Sequence, residues 1–158
     1  MLNSPFYFSP APGYKYWVSF RGGSVKYKNP RLNVQGHWKN KTGYSTYLFR
    51  DYALNFLEEA SAKKKPFFLQ LAFNAPHGPA TPAEEDKEKF STMVFDLPPS
   101  YFEEDRSDKP KWLRQFNLNK KNTDRVEELK LLQLRSLQAV DRSVDSIMTY
   151  LEEKGMLD

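Results

Sequence analysis

The sequence predicts an α/β chain in which a buried strand carries a histidine-containing loop at its end. Residues 67–73 are nearly all apolar, with Pro66 before them and a loop ending in Pro79 after them. A run of this length is too short to cross a membrane and suits a parallel strand covered on both faces, although a buried helix has the same composition. A helical pattern comes directly before the run, which is half of a β-α-β unit. These observations predict an incomplete, mainly parallel sheet with flanking helices.

Short strands are predicted ahead of that helix. Residues 14–20 alternate between apolar and polar positions, which favours a strand. Residues 32–34 and 37–39 are separated by Gln35 and Gly36, a pair that suits a two-residue hairpin turn. We therefore expect a small hairpin before the main helix and the buried strand.

Three helices are predicted from apolar spacing and capping residues. The first is capped by Ser45 or Thr46 and runs to about residue 60. The second is short, is capped by Thr81, and has acidic residues in its first turn. The third is a long amphipathic helix that starts near residue 124 and stops before Gly155. Between the last two, residues 91–123 have the composition of a partly helical surface excursion.

Length and charge limit the function classes. At 158 residues the chain is long enough for one ordinary domain, and it carries 24 Lys and Arg against 20 Asp and Glu. This mild positive excess suits an anionic ligand but is far below that of a dedicated nucleic-acid binder. The absence of cysteine excludes disulfides, thiolate metal sites and a cysteine nucleophile within these residues. No apolar stretch suits a membrane span, and residues 1–12 lack the features of a signal peptide.

The candidate for chemistry is His77, which lies between Pro76 and Pro79 in the loop after the apolar run. Two prolines restrict the backbone, so they hold the imidazole where it can act as a proton donor or a charged ligand. The alternative is a loop histidine bonded only to backbone, and one titratable residue does not decide between the two. Asn74, just before the loop, is a candidate to hydrogen-bond substrate or, equally, the loop backbone.

Other polar and aromatic residues have simpler interpretations. His37 lies in the hairpin without an acidic partner at ligand spacing and is interpreted as structural or exposed. Asp141 is interpreted as a hydrogen-bonding residue on a helix face, because no second carboxylate converges with it locally. The lysine run at residues 63–65 favours a solvated face, and the tryptophans favour core packing over sugar stacking. No metal site is predicted within the chain.

Four sequence patterns together resemble a known family. They are Lys-Pro-Phe-Phe-Leu at residues 65–69, Ala-Pro-His-Gly-Pro at 75–79, and Val-Asp-Arg-Ser-Val at 140–144, followed by Leu-Glu-Glu-Lys-Gly at 151–155. This combination resembles the formylglycine-dependent sulfatases. Residues 12–20 and 43–57 look like the segments before the apolar run in the branch that includes the N-acetylglucosamine-6-sulfatases and the extracellular heparan endosulfatases. The resemblance covers the chain from about residue 10 to its end.

The resemblance implies a partial alkaline-phosphatase-like fold and a sulfuric ester hydrolase acting on sulfated carbohydrate, with glucosamine 6-sulfate as a candidate. In that family a formylglycine hydrate attacks the sulfur beside a divalent cation, usually calcium. The residue matching His77 lies beside the leaving-group oxygen, so His77 is expected to be catalytic and to contact substrate. The family also suggests a secreted, periplasmic or lysosomal location.

The resemblance further implies that residues 1–158 are an interior segment of a catalytic domain. The family's Cys/Ser-X-Pro-X-Arg nucleophile motif and its acidic metal-ligand motifs have no counterparts here. Calcium and formylglycine are therefore expected from the remainder of the domain, which would be the chain's partner. One imidazole supplies neither a nucleophile nor enough positive charge, so the isolated segment is expected to be inactive.

Two other functions stay open. One is a non-catalytic fragment that binds polyanions or carbohydrate, suggested by the missing nucleophile. The other is a phosphodiesterase or phosphoglycerol transferase of the alkaline phosphatase superfamily.

Overall fold

The computed structural model describes residues 10–96, 98, 100, 101, 103–115 and 120–157, and for 120–123 it describes the backbone only. Predictions for residues 1–9 and for parts of the 91–123 excursion lie outside these ranges. In chain order the elements are β1 (Val18–Ser19), β2 (Arg31–Val34), β3 (His37–Asn40), α1 (Ser45–Lys63), a single 3-10 turn (Glu84–Asp86), α2 (Lys111–Arg114) and α3 (Lys120–Glu153).

The predicted hairpin is confirmed. β2 and β3 pair antiparallel with Val34 opposite His37, and β1 pairs antiparallel with β2 to complete a three-stranded sheet. Gln35 and Gly36 have φ angles of 53° and 88°, both in the left-handed region that a type I′ turn requires. The strand predicted over residues 14–20 is reduced to Val18–Ser19.

The prediction of a buried parallel strand at residues 67–73 is corrected. The run has no hydrogen-bonded strand partner among the described residues, and the sheet that they form is antiparallel. Phe68 is 75% exposed, whereas Leu69 and Leu71 pack against α1 and α3. A parallel ladder needs a neighbouring strand from a distant part of a chain, and the described residues supply none. The run is therefore covered on one face only.

The first helix forms as predicted, but its capping differs. Tyr44 is the N-cap residue of α1 and makes no side-chain capping bond. The predicted cap by Ser45 or Thr46 is wrong, because both residues are fully buried inside the first turn. The helix ends at Lys63, slightly later than predicted, and Lys64 follows in left-handed conformation with φ of 50°.

The segment after the loop is less helical than predicted. Only the 3-10 turn Glu84–Asp86 forms, with Ala83 at its N-cap position, so Thr81 does not cap a helix. The Thr81 carbonyl accepts a hydrogen bond of 2.9 Å from the Tyr44 hydroxyl. A capping residue would use that carbonyl for its first intrahelical bond, so a tertiary contact replaces the predicted helix start.

The long amphipathic helix is confirmed as α3. Its end is a Schellman motif at Gly155, which has φ of 61°. The Gly155 amide donates to the Glu152 carbonyl at 2.9 Å, and the Met156 amide donates to the Leu151 carbonyl at 2.8 Å. These two bonds satisfy carbonyls that the last turn of the helix would leave unpaired.

Two apolar clusters join the elements. One joins α1 to α3 through Ala53, Leu57 and Ile147, and the other joins the sheet to α1 through Leu32 and Phe49. α1 therefore packs on the sheet and on α3 at once. Within the described part of the chain, no helix combines the length and the apolar character needed to cross a membrane.

Candidate active site

The loop around His77 is a tight turn with a fixed backbone. The His77 amide donates to the Asn74 carbonyl at 2.8 Å, and the Ala80 amide donates to the His77 carbonyl at 2.9 Å. The peptide bonds before Pro76 and Pro79 are both cis. A third bond comes from outside the turn, because the Tyr27 hydroxyl donates to the His77 carbonyl at 2.6 Å. The His77 backbone is thus held from both its own turn and a distant residue.

The His77 ring itself is exposed. Its Nδ1 lies 2.8 Å from the Gly78 carbonyl oxygen. Because a carbonyl only accepts, Nδ1 carries a proton in this contact, and Nε2 is the ring nitrogen left for an external partner. The turn therefore sets both the position and the tautomer of the imidazole.

Three tyrosines hold the loop from residue 77 to residue 85, and we call them the tyrosine cluster (Tyr27, Tyr44 and Tyr47). Adjacent rings in the cluster lie 5.9 Å and 5.4 Å apart between centroids. Tyr27 donates to His77, Tyr44 to Thr81 and Tyr47 to Glu85. Burial raises the pKa of Tyr27 and of Tyr44, so both hydroxyls stay protonated donors at neutral pH.

The loop lies close to α3 because small residues line the contact. Ala75 and Ala83 of the loop and Ala139 of α3 are all buried in one cluster with Tyr27 and Tyr44. α3 also supplies a polar contact, since Gln133 Nε2 donates to the Pro76 carbonyl at 3.3 Å. The His77 turn therefore packs against helix α3.

Asn74 is buried, with 2% of its surface exposed. Its Oδ1 accepts hydrogen bonds from Ser24 Oγ at 3.1 Å and from the Val25 amide at 3.2 Å. Its Nδ2 makes no regular hydrogen bond among the described residues. The Asn74 side chain thus ties the start of the turn to residues 24–25.

An ion-pair network fixes the far end of the loop. Asp86 is fully buried, and both of its carboxylate oxygens accept hydrogen bonds from the Arg142 guanidinium. Lys89 lies 3.0 Å from the same carboxylate. Burial alone would raise the pKa of Asp86, but the hydrogen bonds from Arg142 and Lys89 lower it below its usual value.

Arg142 is a positioning residue that the sequence interpretation did not identify. It reaches Asp86 and also donates to Tyr47 Oη at 2.7 Å and to Glu85 at 3.2 Å. The interpretation selected its neighbour Asp141, which is exposed on α3. Helical periodicity could have found Arg142, because it shares a face with the buried Ala139 three residues earlier.

Replacing Tyr27 with phenylalanine is expected to destabilise the chain by about 1–2 kcal/mol, because the His77 carbonyl loses its strongest external partner. Urea unfolding measures this loss, and amide hydrogen exchange at Ala80 reports whether the turn itself loosens. Tyr16→Phe is the matched control, since Tyr16 is half-buried and its hydroxyl makes no hydrogen bond to a described residue. Equal losses in the two variants would contradict a specific role for the Tyr27 bond.

The other candidates lie elsewhere. His37 is exposed at the start of β3, and the lysines at residues 63–65 are exposed at and beyond the end of α1. Trp112 is 71% exposed, whereas Trp17 lines an apolar groove of about 480 Å³ between α1 and residues 68–72. His77 does not line that groove. The apolar groove is the uncovered flank of the extended run and not part of the His77 site.

The described residues do not fit a calcium ion. Among them, no three His, Asp or Glu side chains come together as metal ligands. The acids after the turn, residues 84–86, each form an ion pair with a lysine or an arginine. In the described part of the chain these carboxylates are therefore paired with cationic side chains.

Comparisons with known proteins define the family. A sequence model described as Sulfatase matches residues 2–158. An arylsulfatase of Volvox carteri is 33% identical over 156 residues, covering 84% of this chain and 24% of the relative. The extracellular sulfatase SULF-1 homolog of Drosophila melanogaster is 30% identical over 159 residues, covering 93% of this chain and 14% of the relative. The N-acetylglucosamine-6-sulfatase of Homo sapiens is 33% identical over 86 residues, covering 51% of this chain and 15% of the relative.

A solved structure has the same fold. It is a protein in complex with its substrate D-glucosamine-2-N,6-O-disulfate, and it aligns with a TM-score of 0.76 and 20% identity. The alignment covers 95% of this chain and 43% of that one. This likeness confirms the predicted class, a partial α/β fold of the sulfatase type. The chain belongs to the sulfatase family. It spans about a quarter of the length of the Volvox arylsulfatase.

Proposed function

We propose that this chain is an interior segment of the catalytic domain of a sulfuric ester hydrolase, and that His77 is its catalytic contribution. The observation that carries the proposal is the His77 turn, in which Tyr27 holds the backbone and Gly78 holds Nδ1, leaving Nε2 for a partner. In a chain of the sulfatase family, a ring presented in this way supports a role beside the sulfate ester.

The proposed substrate is a sulfated carbohydrate, with glucosamine 6-sulfate as the leading candidate. One relative is named N-acetylglucosamine-6-sulfatase, and the similar solved structure holds D-glucosamine-2-N,6-O-disulfate. The formal net charge of +4 on this chain suits an anionic sugar. Asn74 stays a candidate substrate contact, but its Nδ2 is buried, so a substrate reaches that atom only if the residues around it move.

His77 is proposed to act as a proton donor. Cleavage of a sulfate ester leaves negative charge on the alcohol oxygen, and an imidazolium within hydrogen-bond reach neutralises it. With Nδ1–H bonded to the Gly78 carbonyl, Nε2–H is the group that donates.

The nucleophile and the cation are proposed to come from the remainder of the domain. A formylglycine there would supply the attacking oxygen, and a calcium ion would supply positive charge. The described part of this chain has no cluster of metal ligands, and its acids at residues 84–86 are paired with lysine or arginine. We therefore expect residues 1–158 on their own to show no sulfatase activity.

The complete protein is expected to hydrolyse 4-nitrophenyl sulfate with a kcat/KM roughly a hundredfold higher than for 4-nitrophenyl phosphate. The two esters share one leaving group, so the ratio reports how well the site accepts a sulfuryl rather than a phosphoryl group. Faster hydrolysis of the phosphate ester, or of its methyl diester, would instead support the related phosphodiesterase or phosphoglycerol transferase. Hydrolysis of none of these esters would support the non-catalytic fragment.

A further inference from the structure

A second cleft, distinct from the apolar groove, lies on the outer face of the hairpin. It has a volume of about 560 Å³, and we call it the basic cleft. It is lined by Phe20, Arg21, Ser24, Val25, Lys26, Asn29, Arg31, Trp38 and Asn40. Among the described residues, the lining thus contains three cations, two amides and an indole, and no acid.

The three cations of the basic cleft are exposed and unpaired in the described part of the chain. Arg21, Lys26 and Arg31 are exposed, and none of them forms an ion pair with a carboxylate in the described part of the chain. Arg31 and Trp38 lie on neighbouring strands, and the guanidinium lies 5.7 Å from the indole centroid. This contact orients the guanidinium without neutralising its charge.

The wall of the basic cleft is bonded directly to the His77 turn. The Val25 amide donates to Asn74, and the Tyr27 hydroxyl donates to the His77 carbonyl. Val25 and Tyr27 are buried, with 6% and 4% of their surfaces exposed, whereas Lys26 between them is exposed. The segment that carries Lys26 into the cleft is therefore the one that braces the His77 turn.

We propose that the basic cleft binds sulfated units of an oligosaccharide other than the unit whose ester is cleaved at His77. The proposal rests on the proposed function for the class of ligand. Guanidinium groups pair with sulfate oxygens through two parallel hydrogen bonds, and an ammonium adds a point charge. Asn40 offers its amide for sugar hydroxyls, and Asn29 offers its Nδ2, because Asn29 Oδ1 already accepts a hydrogen bond from the Gly43 amide. The Trp38 ring, which lies beside Arg31, lines the same cleft.

The test is calorimetric titration of the complete protein with a heparin-derived hexasaccharide and with the same hexasaccharide after desulfation. The cleft variant carries Arg21→Gln, Lys26→Gln and Arg31→Gln, and it is expected to bind the sulfated probe roughly tenfold more weakly. The matched control carries Lys63→Gln, Lys64→Gln and Lys65→Gln at an exposed site at the end of α1. This control also loses three positive charges, and it is expected to bind the sulfated probe like the wild type.

A second readout does not depend on how the variants fold. In the wild-type protein, the indole N–H signal of Trp38 is expected to shift when the sulfated hexasaccharide is added and to stay in place with the desulfated one. Equal weakening in both triple variants, or an unmoved Trp38 signal, would overturn the proposal. Binding and turnover are measured separately, so a sulfatase that fails to bind here is distinguished from a binding protein that fails to turn over.

Discussion

Replacing His77 with alanine in the complete protein is expected to lower kcat for a sulfate ester by about 10²- to 10⁴-fold, because the leaving oxygen loses its proposed proton donor. The fold should be unaffected, since the His77 ring is exposed and its one described hydrogen bond is to the adjacent Gly78 carbonyl. Steady-state hydrolysis of an aryl sulfate measures the first effect, and urea unfolding measures the second.

His37→Ala is the matched control, because His37 is the other histidine of the chain and is exposed on β3. It should leave kcat unchanged. The leaving-group dependence adds a sharper readout: an alkyl sulfate, whose alcohol is a poor leaving group, should lose more rate than a nitrophenyl sulfate. Unchanged turnover of both esters by His77→Ala would remove this residue from the mechanism.

Replacing Arg142 with alanine is expected to destabilise the fold by about 3 kcal/mol. The substitution leaves Asp86, which is fully buried, with Lys89 as its remaining described cation. It also removes the donors to Tyr47 and Glu85. Arg125→Ala on the same helix is the control, since Arg125 is exposed, and it should change the free energy of unfolding by less than about 0.5 kcal/mol.

The contribution of Asp86 to the free energy of unfolding is expected to decrease as the pH falls. The pKa of this carboxyl is lowered in the folded state, so its stabilisation is complete above the unfolded pKa of about 4 and is lost as pH falls through the folded value. The difference in unfolding free energy between wild type and Asp86→Asn should therefore be larger at pH 7 than at pH 3. A difference that stays constant with pH, or a stable Arg142→Ala variant, would contradict the ion-pair account.

Much of the local structure could be predicted from the sequence, because local patterns encode it. Gln35 and Gly36 sit at the turn of the observed hairpin, and the apolar spacing of α3 and its stop at Gly155 appear as predicted. The position of His77 in a tight proline turn was also predictable, since the prolines flanking it restrict the backbone. Whether that ring acts on substrate stays a prediction.

Long-range contacts could not be predicted in the same way. Residues 67–73 have the composition of a buried strand, yet composition does not say whether a neighbouring strand is available, and Phe68 is left exposed. The N-cap of α1 is Tyr44 and not the predicted Ser45 or Thr46. Both of those residues are buried by tertiary packing, which local helix propensity does not predict. The helix predicted to start at Thr81 does not form, and the Thr81 carbonyl instead accepts a tertiary hydrogen bond from the Tyr44 hydroxyl.

The sequence by itself determined the family, the long helix, the hairpin and the proline turn that presents His77, because each depends on residues close together in the chain. Only the tertiary structure decided what holds that turn. Tyr27 reaches His77 across 50 residues, and Arg142 reaches Asp86 across 56. The tertiary structure also decided where the cations of residues 21–31 lie relative to the turn. The physical reason is that hydrogen bonds and ion pairs depend on distance in space, which sequence spacing does not report once the chain has folded back on itself.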